Sequence, residues 1–146
     1  MQKSIEIKEK NSLSEKDFLE IYKIEKASFR HPWKEGMFFS PSQKFVLAFE
    51  NKKIIGYICF STVIDECHIL NVAVSPRFRE KGIAQKMFEF LFELGKKKNF
   101  NFYYLEVSEN NLPAISLYKK LGFKTLGKRK KYYEDGSDAI VMVKQT

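Results

Sequence analysis

Apolar and polar positions change period several times along the chain. "SIEIKE" alternates strictly and predicts a strand. "SLSEKDFLEIYKIEKASF" then carries Leu13, Phe18, Ile21, Tyr22 and Phe29 at near-helical spacing. Ser14 followed three residues on by Asp17 forms a capping start. His31-Pro32 stops that helix, because a residue before proline is pushed out of helical geometry. "WKEGMFF" suggests a short second helix. Two runs, "KFVLAFE" and "KIIGYICFSTVI", flank Asn51-Lys52 and predict a hairpin. "CHILNVAVS" follows as a third strand, so nearly continuous in apolar residues at its end that both faces should be covered. From Gly82 to about Lys98, Ile83, Met87, Phe90, Leu91 and Leu94 make the buried stripe of a long helix, and Lys96 to Lys98 suit its negative end. "NFYYLEVS" is the next strand, "NLPAISLYKKLGF" a helix closed by Gly122, and strands near 123–132 and 138–144 complete the pattern. Strand–helix–strand units in the middle imply parallel pairing, and the hairpins at either side antiparallel pairing. The expected fold is a mixed α/β domain.

Composition narrows this a little. A length of 146 residues suits one domain over 1–146, and 44% hydrophobic with 30% charged residues is ordinary globular usage. No apolar run approaches the roughly 20 residues that span a bilayer, and "MQKSIEIKEKNS" lacks the apolar stretch of a signal peptide. A cytoplasmic protein without membrane partners is expected. Cys59 and Cys67 match no zinc spacing, and only His31 and His68 could assist, so no metal site is expected and both thiols read as reduced. The net charge of +8 requires a polyanionic neighbour or another explanation. Nucleic acid, a ribosome surface and a polyanionic cofactor all fit, and charge alone does not separate them.

The chemistry concentrates at "RFREKGIAQK", residues 77–86, a basic corner between a strand and a helix. The first amides of that helix lack partners within it and, with the positive dipole end, form an anion site. Gly82 permits close approach or positive φ, Ala84 keeps a second approach point small, and Arg77, Arg79 and Lys81 add positive potential. A diphosphate fits; so does a plain connection. A Walker loop would need Gly-Lys-Ser/Thr, and the dinucleotide fingerprint three spaced glycines; neither is present.

"VAVSPRFREKGIAQKMF" resembles the acetyl-CoA-binding segment of the GNAT N-acetyltransferases, whose Arg/Gln-x-x-Gly-x-Gly/Ala signature reads here as Arg79-x-x-Gly82-x-Ala84. The order of elements also resembles theirs over essentially the whole chain. The resemblance implies a GNAT fold, a single mixed sheet of about seven strands with about four flanking helices. "LEVSENNLPAISLYKKLGF", "HPW", "LNVAV" and "RKKYYEDGSDAI" resemble the ribosomal-protein-alanine N-acetyltransferases within that family. Ala84 stands where many members carry glycine, and Pro113 enters the last helix at its first turn, where its missing amide is not needed.

What the resemblance implies for the site is specific. The backbone of Val72, Ala73 and Val74 would pair with the pantetheine arm of acetyl-CoA, the Val74 amide facing the thioester oxygen. Arg79 belongs to the cofactor signature, and the amides of Glu80, Lys81, Gly82, Ile83, Ala84 and Gln85 would hold the pyrophosphate. Glu106 would act as general base and Tyr118 as general acid. Asn111 would contact CoA, and it also suits a helix cap. Trp33 and Tyr132 would wall the peptide pocket, and from the residues alone both also read as packing. From the residues alone, Glu106 also reads as an exposed strand position and Tyr118 as core at helical spacing from Ala114, Ile115 and Leu121. Lys128 to Lys131 read as a solvated face, with contact to the CoA 3′-phosphate or ribosomal RNA as the other reading. The implied acceptor is the N-terminus of a ribosomal protein, with acetyl-CoA as co-substrate, no metal, and no direct contact with nucleic acid required. An α-ammonium, with a pKa near 7.7–8, is easier to deprotonate than a lysine near 10.4. Lysine, polyamine or aminoglycoside acceptors, and a non-catalytic CoA- or RNA-binding module, are the alternatives. The positive charge itself disfavours steering of a free, basic ribosomal protein, and polyamines by the same argument.

Overall fold

The computed structural model describes residues 4–146. Their order is β1 (Ile5–Lys10), α1 (Glu15–Ser28), a 3₁₀ turn (Glu35–Phe38), β2 (Lys44–Glu50), β3 (Lys53–Val63), β4 (Glu66–Val74), a second 3₁₀ turn (Pro76–Phe78), α2 (Ile83–Lys98), β5 (Phe102–Ser108), α3 (Leu112–Lys120), β6 (Lys124–Arg129) and β7 (Ala139–Gln145). The strands form one sheet in the order β1-β2-β3-β4-β5-β7-β6. Only β4 and β5 pair in parallel.

Local chemistry accounts for most of these elements. Ser14 and Asp17 form the expected reciprocal capping box, which satisfies two amides that the helix start leaves open. Asn51 and Lys52 both take positive φ, 51° and 64°, the twist a two-residue hairpin needs. α1 ends at Ser28, three residues before His31, with Phe29 already extended. Three α-helices flank the sheet rather than four, because "WKEGMFF" makes only a four-residue 3₁₀ turn with Gly36 in it and no side-chain cap. The second strand–helix–strand unit does not give neighbouring strands either. β7 inserts between β5 and β6 and pairs antiparallel with both.

The sheet separates two cores by side-chain alternation. Phe45, Leu47, Tyr57 and Cys59 face α1 and pack with Phe18, Ile21 and Ile24. Val46, Ile58 and Phe60 face α2 and α3 with Met87, Phe88, Leu91 and Tyr118. On α2 the buried residues are Ile83, Met87, Phe88, Leu91 and Gly95, so Phe88 and Gly95 replace the predicted Phe90 and Leu94, which are half-buried. Gly95 is required there, since a Cβ would lie 1.8 Å from the Tyr103 hydroxyl.

Cys59 and Cys67 are free and fully buried. Burial pushes each thiol from an ordinary 9 up to about 12, because the thiolate would lose its hydration. A folded-state pKa raised in this way adds stability that is whole below about pH 9 and is lost as pH rises toward 12. Native protein at pH 8 should therefore not react with an aromatic disulfide reagent, and both thiols should titrate once denaturant unfolds the chain. Fast labelling of the native protein would contradict this packing.

Candidate active site

β4 and β5 pair over only three positions, Glu66 with Phe102 through His68 with Tyr104, and then separate. The cause lies on β4. Cys59 faces Asn71 and Phe60 faces Ile69, so Leu70 is an extra residue in the ladder, and such a bulge bends the strand that carries it. The strands diverge around a cavity of about 510 Å³, lined on one side by Ile69 to Val72 and on the other by Leu105 to Ser108. Val72 and Val74 are consequently half-buried, so β4 is not covered on both faces as its apolar run suggested.

The hydrogen-bond register determines what β4 offers to this gap. The Ser75 amide donates to the Ile55 carbonyl at 2.7 Å. Bonded and non-bonded pairs alternate in an antiparallel ladder, so Ala73 bonds Tyr57 while Val72 and Val74 face Ile58 and Gly56 without bonding them. The amides of Val72 and Val74 therefore turn away from β3 and into the gap, and the Ala73 amide does not.

The Gly82 corner lies beyond the end of β4. Gly82 takes φ +78° as the residue preceding α2, with nothing within 4 Å of where a Cβ would be, and Glu80 also has positive φ. The first intrahelical bond runs from the Lys86 amide to the Gly82 carbonyl, which leaves the Ile83, Ala84 and Gln85 amides without helical partners. Arg79, itself exposed, reaches back along the surface: its Nε donates to the Val74 carbonyl at 3.0 Å and its Nη2 to the Ser28 hydroxyl at 2.9 Å. It clamps the corner to β4 and α1. Arg77 and Lys81 stay exposed, Lys81 with its ammonium over the Phe78 ring and Gln85 hydrogen-bonded to Glu89.

Within the cavity the structure brings together Glu106, Tyr118, Asn111, Trp33 and Tyr132. Glu106 projects from β5 opposite Val141 and is half-buried. Its Oε1 accepts from Arg129 Nε at 2.8 Å, across β7 from β6. Tyr118 on α3 is buried, edge-on to Phe88 and Phe123, so it packs in the core and lines the cavity at once. Burial first, and then neighbouring Tyr133, push its phenol up to about 12. Tyr133 is likewise pushed up to about 12, by burial and then by the Glu106 charge, and is more enclosed than Tyr132, whose ring it meets edge-on. Asn111 Oδ1 accepts from the Ala114 amide at 3.3 Å, capping α3.

Beyond the sequence-based set, Tyr133 and Glu25 also line the cavity, and Arg129, outside the lining, pairs with Glu106. Glu25 is only 1% exposed. Its carboxylate accepts from the Tyr57 hydroxyl, from Asn71 Nδ2 at 2.6 Å and from the Trp33 amide at 2.8 Å. The available signal is its position, since 18–21–25 continues the buried stripe of α1. At the rim, His31 Nδ1 meets Glu134 Oε2 at 2.9 Å.

Similarity to known proteins agrees with this geometry. Residues 15–123 match the model of the Acetyltransferase (GNAT) family. The [Ribosomal protein bS18]-alanine N-acetyltransferase of Escherichia coli (strain K12) is 33% identical over 138 residues, covering 90% of this chain and 93% of that protein. The crystal structure of the ribosomal-protein-S18-alanine N-acetyltransferase from Escherichia coli superposes with a TM-score of 0.88 at 30% identity, over 97% of this chain and 94% of that one. A GNAT family acetyltransferase from Elizabethkingia anophelis, solved with acetyl-CoA bound, shares the fold at a TM-score of 0.82 and 20% identity, covering 97% and 98%. With one strand pair splayed around a cavity and a glycine corner at the end of β4, the chain belongs to the GNAT acetyltransferase family and is similar to its ribosomal-protein-alanine N-acetyltransferases.

Proposed function

We propose that this enzyme moves the acetyl group of acetyl-CoA to the N-terminal alanine amine of ribosomal protein bS18. The observation that carries the reading is the placing of Glu106 and Tyr118 in one cavity with Val72, one of the two β4 residues whose amides β3 does not bond. The Val72 and Val74 amides suit the carbonyls of a pantetheine arm. The Val74 amide would receive the negative charge that grows on the thioester oxygen, a donor typically worth about 3 kcal/mol. The free amides of Ile83, Ala84 and Gln85, reached through the open backbone of Glu80, Lys81 and Gly82, suit a pyrophosphate. Asn111 would meet the cofactor from α3, while Trp33 and Tyr132 flank the acceptor.

Acetyl-CoA supplies an activated acyl carbon; the remaining work falls to this chain's side chains. Glu106 takes a proton from the acceptor α-ammonium, directly or through a water. As the C–N bond forms and the C–S bond breaks, Tyr118 gives its proton to the departing sulfur, and the second amine proton, shed from nitrogen as the amide forms, restores the phenol through solvent. Its raised pKa keeps that proton in place at neutral pH.

The charge distribution supports a basic acceptor despite the net +8. Residues 119–131 hold seven basic and no acidic residues, all seven exposed, and the rest of the chain has nineteen basic against eighteen acidic residues. The cavity by contrast is lined by four carboxylates, Glu25, Glu106, Glu134 and Asp135, against Arg30 and His31, so an approaching N-terminus meets negative potential where it must bind. The test is incubation of purified, unacetylated bS18 with acetyl-CoA and enzyme, with the modified site mapped by mass spectrometry. One acetyl group on the N-terminal alanine is expected. Acetylation of lysine side chains, or none, would move the acceptor to another amine.

A further inference from the structure

We propose that Glu25 is a positioning residue that couples the two substrate sites, so that filling the β4 amides sets the acceptor wall at Trp33. The inference rests on the reading of β4 as the acetyl-CoA rail. A carboxylate in this place is costly. It lies in the last turn of α1, where the helix dipole disfavours negative charge. It is 1% exposed and forms no ion pair with a described lysine, arginine or histidine. Burying such a group costs stability even when it is hydrogen-bonded, and an apolar residue would continue the Phe18–Ile21 stripe.

What the carboxylate provides is a chain of hydrogen bonds running from one site to the other. The Val72 amide, which faces the gap, donates to Asn71 Oδ1 at 3.1 Å, and Asn71 Nδ2 donates to Glu25 Oε1 at 2.6 Å. Only one orientation of the Asn71 amide satisfies both partners. Glu25 Oε2 then accepts from the Trp33 amide at 2.8 Å, and the Trp33 ring lines the acceptor side of the cavity. A pantetheine carbonyl that takes the Val72 amide displaces Asn71 Oδ1. The freed Asn71 pulls on Oε1, and Oε2 carries the shift to Trp33. Tyr57 also donates to Oε1, from the core side, and does not line the cavity. Coupling of this kind is reciprocal, so a bound acceptor also tightens acetyl-CoA.

Trp33 is the only tryptophan, so its emission reports the acceptor wall directly. The full chain would be titrated with acetyl-CoA without acceptor, following binding by calorimetry and the wall by Trp33 fluorescence. In the wild type and in Tyr57→Phe, emission should change in step with the calorimetric isotherm. In Glu25→Gln and Asn71→Ala, acetyl-CoA should bind while the emission change is lost. The affinity gain for an alanine-led peptide when CoA is present, expected within about 5- to 150-fold, should fall to near unity in both. Asn71→Ala decides the matter if Glu25→Gln fails to melt cooperatively. Acetyl-CoA binding with an undiminished Trp33 response in Asn71→Ala or in folded Glu25→Gln would overturn the coupling. Absence of any acetyl-CoA binding to wild type would instead overturn the rail, and the inference with it.

Discussion

Glu106→Gln should lower kcat/KM for an alanine-led peptide by about 10²- to 10⁴-fold, the usual worth of a general base, and leave acetyl-CoA binding unchanged. The substitution is isosteric and sits on β5, whose ladder to β7 uses backbone groups. It removes the carboxylate proposed to take the amine proton and nothing from the Val72 and Val74 amides. The ion pair with Arg129 is also lost, but Arg129 is 59% exposed, so its guanidinium stays solvated and stability should change by no more than about 1 kcal/mol. A thermal melt close to wild type, with turnover nearly abolished, separates catalysis from folding. Turnover near the wild-type rate would remove Glu106 from the mechanism.

Tyr118→Phe should have the second largest effect, a fall in kcat of about 10²- to 10⁴-fold, with cofactor binding retained. The phenyl ring keeps its edge contacts with Phe88 and Phe123, so the core should stay packed while the leaving sulfur loses its proposed proton donor. Because burial holds the Tyr118 phenol near 12, its proton is present below that pH and is lost only as pH rises through it. Any alkaline limb of the wild-type profile at lower pH must therefore come from another group. A Tyr118→Phe enzyme with wild-type kcat would make Tyr118 a core residue alone.

The parts of this molecule that sequence could reveal are those governed by local period and local chemistry. The stripe of α2, the Ser14–Asp17 box, the Asn51-Lys52 turn and the Gly82 corner each depend on residues within a few positions of one another. The gap between β4 and β5 does not. Leu70 enters the ladder as an ordinary apolar residue of "HILNV", and only its pairing against Cys59 and Phe60 makes it a bulge. Arg129 reads as one cation among several and finds Glu106 only because β7 places β6 within reach. Glu25 looks like any polar residue of an amphipathic helix, yet its three donors come from β3, β4 and the turn after α1. Partners that tertiary structure assembles leave little trace in spacing. The net charge misleads for the same reason: a single figure of +8 hides a basic 119–131 segment and an acidic cavity.

The most direct measurement compares two peptides of one sequence with acetyl-CoA as donor, the first with a free N-terminal alanine and the second with that amine blocked and a lysine inside. Acetyl transfer to the free alanine peptide alone is the predicted result, since Glu106, as the proposed base, can remove a proton from an α-ammonium far more easily than from a lysine. Equal or preferential acetylation of the blocked lysine peptide would contradict the account of this site.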